Sequence, residues 1–297
     1  MPGYNARMKQ HYVPEVYLRQ WCDDDAHLIR YCRVGRPGAL PQLHSERKAP
    51  KGICWERNLY SLPDGGIANG MTGDELEGLL SKKVEQVLAS IVGAVGDRVG
   101  PLELVVSDQV KWLMQTFVAR SPSTLAAIES VVVDFALEHG ALIRRTLTSA
   151  RAPEMRAELC QYLDPRMPAV AARAGLAGLV DAQFLPMPGW YEGSLCVLQV
   201  ECAKPLLDAL GLDHFPTFEE PVVQWQANPA GLVASFSVSP RILALVVTGS
   251  AESLWELALR HTFSALRHRQ FAICRRRAAD GPWLTEAHNL IPWTPGD

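Results

Sequence analysis

The sequence has no long hydrophobic run, little net charge and no paired-cysteine motif, and each absence argues against a class of protein. The longest apolar runs, such as Ile242–Val247, are far too short to span a bilayer. The first twelve residues are polar and contain no apolar signal segment, so we expect a cytoplasmic protein without a membrane partner. A formal net charge of -3 argues against a surface built throughout to hold nucleic acid, so any phosphate-binding site must be local.

The cysteines and the missing catalytic motifs narrow the choice further. Seven cysteines are scattered along the chain, with no CxxC pair and no zinc-ligand spacing to a histidine. An odd, scattered set predicts reduced thiols in a reducing compartment. The chain also lacks a P-loop, a dinucleotide-binding glycine motif, a GxSxG elbow and an HExxH motif. These absences argue against nucleotide-dependent enzymes, common hydrolases and zinc proteases.

What the sequence does contain predicts an α+β protein. The 297 residues, 48% of them hydrophobic, can form a substantial core, and we treat 1–297 as a single domain. A helical block at about 72–185 separates strand-containing N- and C-terminal parts, whose strands we expect to join one small mixed or antiparallel sheet. The predicted strands are 28–34, 53–62, 222–225, 232–238, 242–247 and 270–274.

Several helix limits follow from local signals. Thr72 and Glu75 form a capping box at the start of a helix, and Ser107 is the expected cap of the next one. Gly140 is the expected end of a helix that begins near residue 123. Further helices are predicted at 195–210 and 253–266.

The first candidate site is the segment Gln10-His11-Tyr12-Val13-Pro14. Pro14 suits the first position of a helix, which would place His11 and Tyr12 just before its positive end. That position disfavours imidazolium, so a neutral His11 could accept a proton. The same helix end attracts phosphate or carboxylate, with Tyr12 able to hydrogen-bond the anion. The alternative is a structural helix start, in which His11 pairs with a main-chain carbonyl and Tyr12 packs.

The second candidate is the predicted strand around residues 55–60. A strand would project Glu56, Asn58 and Tyr60 from one face. A carboxylate, an amide and a phenol in one row could line a pocket. The alternative is a half-exposed strand with Trp55 and Leu59 buried.

The third candidate is the acidic loop 213–221. Glu219 and Glu220 lie near His214 and could bind a divalent metal or act as acid and base. Their spacing matches no specific metal motif, and a solvated loop is the favoured alternative.

The fourth candidate is a basic stretch near the end of the sequence. Several cations within one helix and one strand could grip the phosphates of a nucleic acid or of another phosphate-bearing ligand. A solvated helix face and strand end is the commoner explanation. The members of the stretch are Arg260, His261, Arg267, His268, Arg269, Arg275, Arg276 and Arg277.

Four segments, taken in order, are similar to a mainly bacterial family, the domain of unknown function numbered 4238. They are His11-Tyr12-Val13-Pro14 with Tyr17-Leu18-Arg19 after it, then the segments 56–60, 117–122 and 237–241. The resemblance implies a shared fold and a shared site, and it brings no established activity with it. This chain departs from the family at a Thr-Ser-Asp-Asn-Pro-type turn, where it has Phe218 and Glu219 in place of the small hydroxyl residue and the aspartate. Any role of that aspartate is therefore in question here.

Three functions remain open at this point. The first is a phosphoester-acting enzyme, a nuclease-like hydrolase, that uses catalytic groups with or without a divalent metal. The second is a non-catalytic binding or regulatory module that recognises an anionic ligand or a partner protein. The third makes the motifs structural. The candidate catalytic residues are His11, Glu56 and Glu219, and the candidate ligand-binding residues are Tyr12, Asn58, Tyr60, Arg120 and Arg269.

Overall fold

A computed structural model gives the fold, and the chain forms two compact units. Unit 1 comprises Met1–Tyr12, Glu56–Leu80 and Ala119–Gln183, and unit 2 comprises the remaining segments. The expectation of a single domain over 1–297 stays a prediction. The structure describes residues 9–34, 42–61, 72–95, 104–149, 152–161, 163–181, 194–209, 212–227, 231–248, 253, 256–262 and 271–274.

Strands and helices are divided along the chain as the α+β prediction requires. The strands are β1 (Lys9–His11), β2 (Leu28–Val34), β3 (Gln42–Lys48), β4 (Trp55–Arg57), β5 (Ser194–Gln199), β6 (Thr217–Phe218), β7 (Val222–Ala227), β8 (Gly231–Ser239), β9 (Ile242–Val247) and β10 (Phe271–Cys274). The α-helices are α1 (Glu15–Leu18), α2 (Gly73–Val95), α3 (Leu104–Arg120), α4 (Pro122–Ser149), α5 (Pro153–Gln161), α6 (Met167–Asp181) and α7 (Val200–Ala209), and residues 256–262 are also helical. None of the described helices is both long and apolar enough to cross a bilayer.

The expected sheet of N- and C-terminal strands is present in unit 2. Its order is β3-β2-β10-β6, and all of its pairings are antiparallel. Tyr31 at its centre faces Ser45 on one side and Ala272 on the other. A second antiparallel sheet, β5-β9-β8-β7, uses strands from the C-terminal third alone. The α+β prediction is therefore confirmed.

The short helix α1 is anchored in unit 2 by two aromatic residues. Tyr17 is fully buried, and its ring lies 5.4 Å from the ring of Phe236, centroid to centroid. Its hydroxyl donates to the carbonyl of Ser237 and shares a 2.7 Å hydrogen bond with the hydroxyl of Thr217. The indole N–H of Trp21 donates to the carbonyl of Phe215. The Tyr-Leu segment after the His-Tyr-Val-Pro motif thus has a packing role.

Unit 1 has a separate apolar core between α2, α4 and α6. Leu76, Leu80, Leu125 and Leu176 are buried there together with Tyr60. Such a cluster forms because each helix presents one apolar stripe that must be covered.

The predicted capping box at the start of α2 is confirmed. The hydroxyl of Thr72 accepts the main-chain N–H of Glu75, whose carboxylate accepts the main-chain N–H of Thr72. The two residues satisfy each other's exposed donors, which fixes where α2 begins.

Two predicted strand limits in the N-terminal part were wrong. The strand at 53–62 ends at Arg57, because Cys54 and Asn58 have positive φ angles of 54° and 56° that turn the backbone. Asn58 tolerates this conformation better than most residues. No row of side chains at 56, 58 and 60 therefore exists on a strand face. Strand β3 was missed because its sequence, QLHSERK, is polar and contains few strand-forming residues.

Three helix predictions also need correction. Gly140 does not end α4, which continues to Ser149 because good helix formers follow it and Ile143 is buried. The predicted helix at 195–210 is strand β5 followed by α7, since the apolar run 195–198 pairs with β9. Helix α3 begins at Leu104 and not at the expected cap, Ser107. Of the helix predicted at 253–266, only part lies within the described residues.

Candidate functional site

The motif histidine is held in unit 1 by its main chain. The N–H of His11 donates to Oε1 of Glu77 at 2.8 Å. The carbonyl of His11 accepts from Nη2 of Arg120 at 2.5 Å and from the hydroxyl of Tyr60 at 3.0 Å. The imidazole Nδ1 lies 3.7 Å from Oε1 of Glu77, which is too long for a hydrogen bond but close enough for a charge interaction. The backbone contacts fix where the imidazole sits.

The expected positive helix end beside His11 is wrong in its cause. Helix α1 has four residues and begins at Glu15, with Pro14 as its cap, and His11 is the last residue of β1. A helix of one turn sums few peptide dipoles. The positive charge that contacts the histidine main chain is the guanidinium of Arg120.

Gln10 connects the histidine strand to the turn that carries Tyr60. Its side chain is fully buried, and its Oε1 accepts the main-chain N–H of Tyr60 at 2.7 Å. Its Nε2 donates to Asp74 at 2.8 Å. Gly73 must lack a side chain here, because a Cβ atom would lie 2.5 Å from Oγ of Ser61 and 2.8 Å from Nε2 of Gln10.

Tyr60 is buried between the histidine carbonyl and Arg120. Its hydroxyl donates to His11 and accepts from Nε of Arg120 at 3.1 Å. The guanidinium carbon lies 5.6 Å from the centre of the ring, within range of a cation–π interaction. Burial raises the pKa of the Tyr60 phenol, the nearby Arg120 opposes that rise, and the charges of Glu77 and Glu56 add to it. The hydroxyl therefore stays protonated at neutral pH.

Arg120 is the most unusual group of the site. The residue is completely buried, and its Nε and Nη2 atoms are used by Tyr60 and His11. Within the part of the chain that the structure describes, its Nη1 atom has no hydrogen-bond partner, and the guanidinium forms no ion pair. A buried cation without these interactions is costly.

A second nearly buried arginine of unit 1 provides a contrast. Nη1 of Arg173 donates to the carboxylate of Glu129 at 2.5 Å, so its charge is compensated. Its Nε and Nη2 atoms donate to the carbonyls of Ser61 and Leu59. Arg173 thus holds the turn that carries the tyrosine, as a structural arginine would. Arg120 does not have this saturated environment.

The structure brings three of the predicted site residues into direct contact, namely His11, Tyr60 and Arg120. Tyr12 is half-buried against the apolar core of unit 1. Glu56 and Asn58 are exposed, Glu219 is half-buried in unit 2, and Arg269 lies outside the described residues.

Sequence reasoning missed Asp74, Glu77 and Glu129 as neighbours of the site. Acidic residues in the first turn of a helix are ordinary, so their presence at the start of α2 carried no signal of a site. Their contacts with residues more than forty positions away exist because of tertiary packing.

A second polar cluster lies in unit 2, around the completely buried His261. Its Nδ1 lies 2.6 Å from the hydroxyl of Ser235, and its Nε2 lies 3.0 Å from the hydroxyl of Ser237. Ser237 donates its proton to the carbonyl of Pro216, so it accepts from Nε2–H, and Nδ1 accepts from Ser235. Burial lowers the pKa of His261 to about 3, opposed by a hydrogen bond with Pro216.

His261 is therefore not part of a cationic surface, because it is buried and neutral. Arg260 is exposed, and the other members of the predicted basic stretch lie outside the described residues. In the acidic loop, His214 pairs with the neighbouring Asp213. The described residues contain no group of three or more His, Cys, Asp or Glu side chains that could hold a metal ion, so no ligand set is assigned.

One comparison with known proteins identifies a family. The model of a protein of unknown function, DUF4238, matches residues 9–160, just over half of the chain. No curated protein and no solved structure matches it. The matched range includes the segments 11–14, 56–60 and 117–122, which carry His11, Tyr60 and Arg120, whereas 237–241 lies beyond it. The chain therefore belongs to the DUF4238 family.

Proposed function

We propose that unit 1 binds an oxyanion-bearing ligand, of the phosphate or carboxylate class, at Arg120. The observation that carries this proposal is the completely buried guanidinium whose Nη1 has no partner among the described residues. An oxyanion would supply both the missing acceptor and the missing negative charge. The compensated Arg173 of the same unit is a built-in comparison.

The contacts of Arg120 define what such a ligand would meet. Nε and Nη2 are held by Tyr60 and His11, which fix the plane of the guanidinium. Nη1 carries two N–H donors, so one or two ligand oxygens can bind along that edge. Since the side chain is completely covered, the ligand must displace neighbouring groups to reach it. We therefore expect slow association that depends on local opening.

Titration with inorganic phosphate and with acetate, followed by calorimetry and by thermal unfolding, tests the proposal. We expect at least one of the two anions to raise the unfolding temperature of the wild-type protein, and Arg120→Gln to abolish that response. Arg144→Gln is the matched control, because it removes the same charge from an exposed position in unit 1 and should leave the response unchanged. An Arg120→Gln variant that folds and still responds like the wild type would rule the proposal out.

Phosphoester hydrolysis at the same site is the second candidate. The observation that favours it is the proximity of the His11 imidazole to the carboxylate of Glu77, which can orient a general base. Glu56 contributes charge near Tyr60, and a role for Glu219 stays part of the proposal. A divalent metal is compatible with this chemistry.

Cleavage assays with single-stranded DNA, RNA and a chromogenic phosphodiester test the second candidate, with and without added magnesium or manganese. His11→Gln should lower the rate by roughly 100-fold or more if the imidazole is the base. His44→Gln, at an exposed position, is the matched control. Unchanged cleavage by His11→Gln would remove the proposed role of the histidine.

The proposed location is the cytoplasm. The five cysteines whose side chains the structure describes form no disulfide, which agrees with a reducing compartment. A nucleic acid remains a candidate ligand through Arg269 and the neighbouring arginines of the sequence.

A further inference from the structure

Helix α4 has a buried face and an outer face that is unusually apolar. The 28-residue helix packs against α5 and α6, and Leu125, Gly140 and Ile143 are its buried residues. The outer face of such a helix is normally polar. Here Val131, Phe135, Leu137 and Leu142 are large, apolar and between 45% and 78% exposed.

Three of these side chains form one stripe. At 100° per residue, Val131, Phe135 and Leu142 lie within about 40° of one another around the helix. Glu138 and Arg145 are also exposed and lie on the same stripe, seven residues apart. Leu137 lies about 120° away from Val131, on a different side of the helix. The stripe thus combines apolar residues with one acid and one base.

This charge pattern is complementary to itself when the helix direction is reversed. In an antiparallel pair of α4 helices with its centre between Ala141 and Leu142, Glu138 of each helix faces Arg145 of the other. The two ion pairs then flank a contact between the small Ala141 and the larger Leu142. A parallel pair would place like charges against each other. Twofold symmetry makes both contacts occur twice.

We propose that the stripe formed by Val131, Phe135, Glu138, Leu142 and Arg145 joins two copies of this chain through antiparallel α4 helices. The apolar residues would provide the contact area, and the two charges would set the direction. This inference does not depend on the anion site.

Sedimentation equilibrium of the full chain over a range of micromolar concentrations tests the proposal. The wild type is expected to form dimers, and Leu142→Glu is expected to be monomeric. Leu137→Glu is the matched control, because it introduces the same charge on the same helix away from the stripe and should still dimerise. Circular dichroism of each variant checks that α4 remains helical.

A charge-reversal series tests the direction of the helices. Glu138→Arg alone, or Arg145→Glu alone, places like charges together twice and should weaken dimerisation roughly tenfold. The double variant Glu138→Arg with Arg145→Glu restores both pairs and should recover the affinity of the wild type. A wild-type protein that stays monomeric, a dimer that tolerates Leu142→Glu, or a double variant no better than either single one would overturn the proposal.

Discussion

His261 gives the protein a pH dependence of stability that can be worked out from the structure. Its imidazole is completely buried between Ser235 and Ser237, and burial lowers its pKa from the ordinary 6.5 to about 3. Between these two values the unfolded chain binds a proton that the folded protein does not. The free energy of unfolding therefore falls as the pH decreases below 6.5, and the loss levels off near pH 3.

The size of the effect follows from the same two pKa values. Each pH unit in that interval costs about 1.4 kcal/mol, so the full interval corresponds to about 5 kcal/mol. Between pH 7 and pH 5 the contribution of His261 is about 2 kcal/mol. Other titrating groups add their own pH dependence, which the wild type and a His261→Gln variant share.

Urea unfolding of the two proteins at pH 7 and pH 5 isolates the histidine. We expect His261→Gln to be less stable at pH 7, because glutamine cannot reproduce both hydrogen bonds, with a cost of about 1–3 kcal/mol. On moving to pH 5 the wild type should lose about 2 kcal/mol more than the variant does. His44→Gln, at an exposed position, should follow the wild type at both pH values. Equal losses in the wild type and in His261→Gln would refute the reasoning.

Three further predictions concern residues that position the core and the site. Thr72→Ala should lower the free energy of unfolding by about 1 kcal/mol in urea unfolding, because it removes the cap of α2. Gly73→Ala should destabilise the protein in the same assay and weaken any anion response, because its Cβ would displace Gln10 and Ser61. Tyr17→Phe should cost about 1–3 kcal/mol, because it leaves the carbonyl of Ser237 without its buried donor. A fully stable Tyr17→Phe variant would contradict the anchoring role of α1.

Local signals correctly predicted the elements that depend on short stretches of chain. The capping box at Thr72 fixed the start of α2, and the run 242–247 became β9 at the expected limits. The predicted break after Arg120 is present as well. Where local signals were ambiguous, packing decided the outcome. The apolar run 195–198 became a strand because β9 lies beside it, and the polar β3 became a strand because it pairs with β2.

The sequence alone determined the α+β class, the family and the presence of His11, Tyr60 and Arg120 in three recognisable segments. It could not show that these three residues touch, since they come from positions 49 to 109 residues apart. It assigned the positive charge beside His11 to a helix end, whereas folding places a buried arginine there. Tertiary structure decided these points because burial, and the lack of a partner for Nη1 among the described residues, are properties of the surroundings that no short segment encodes.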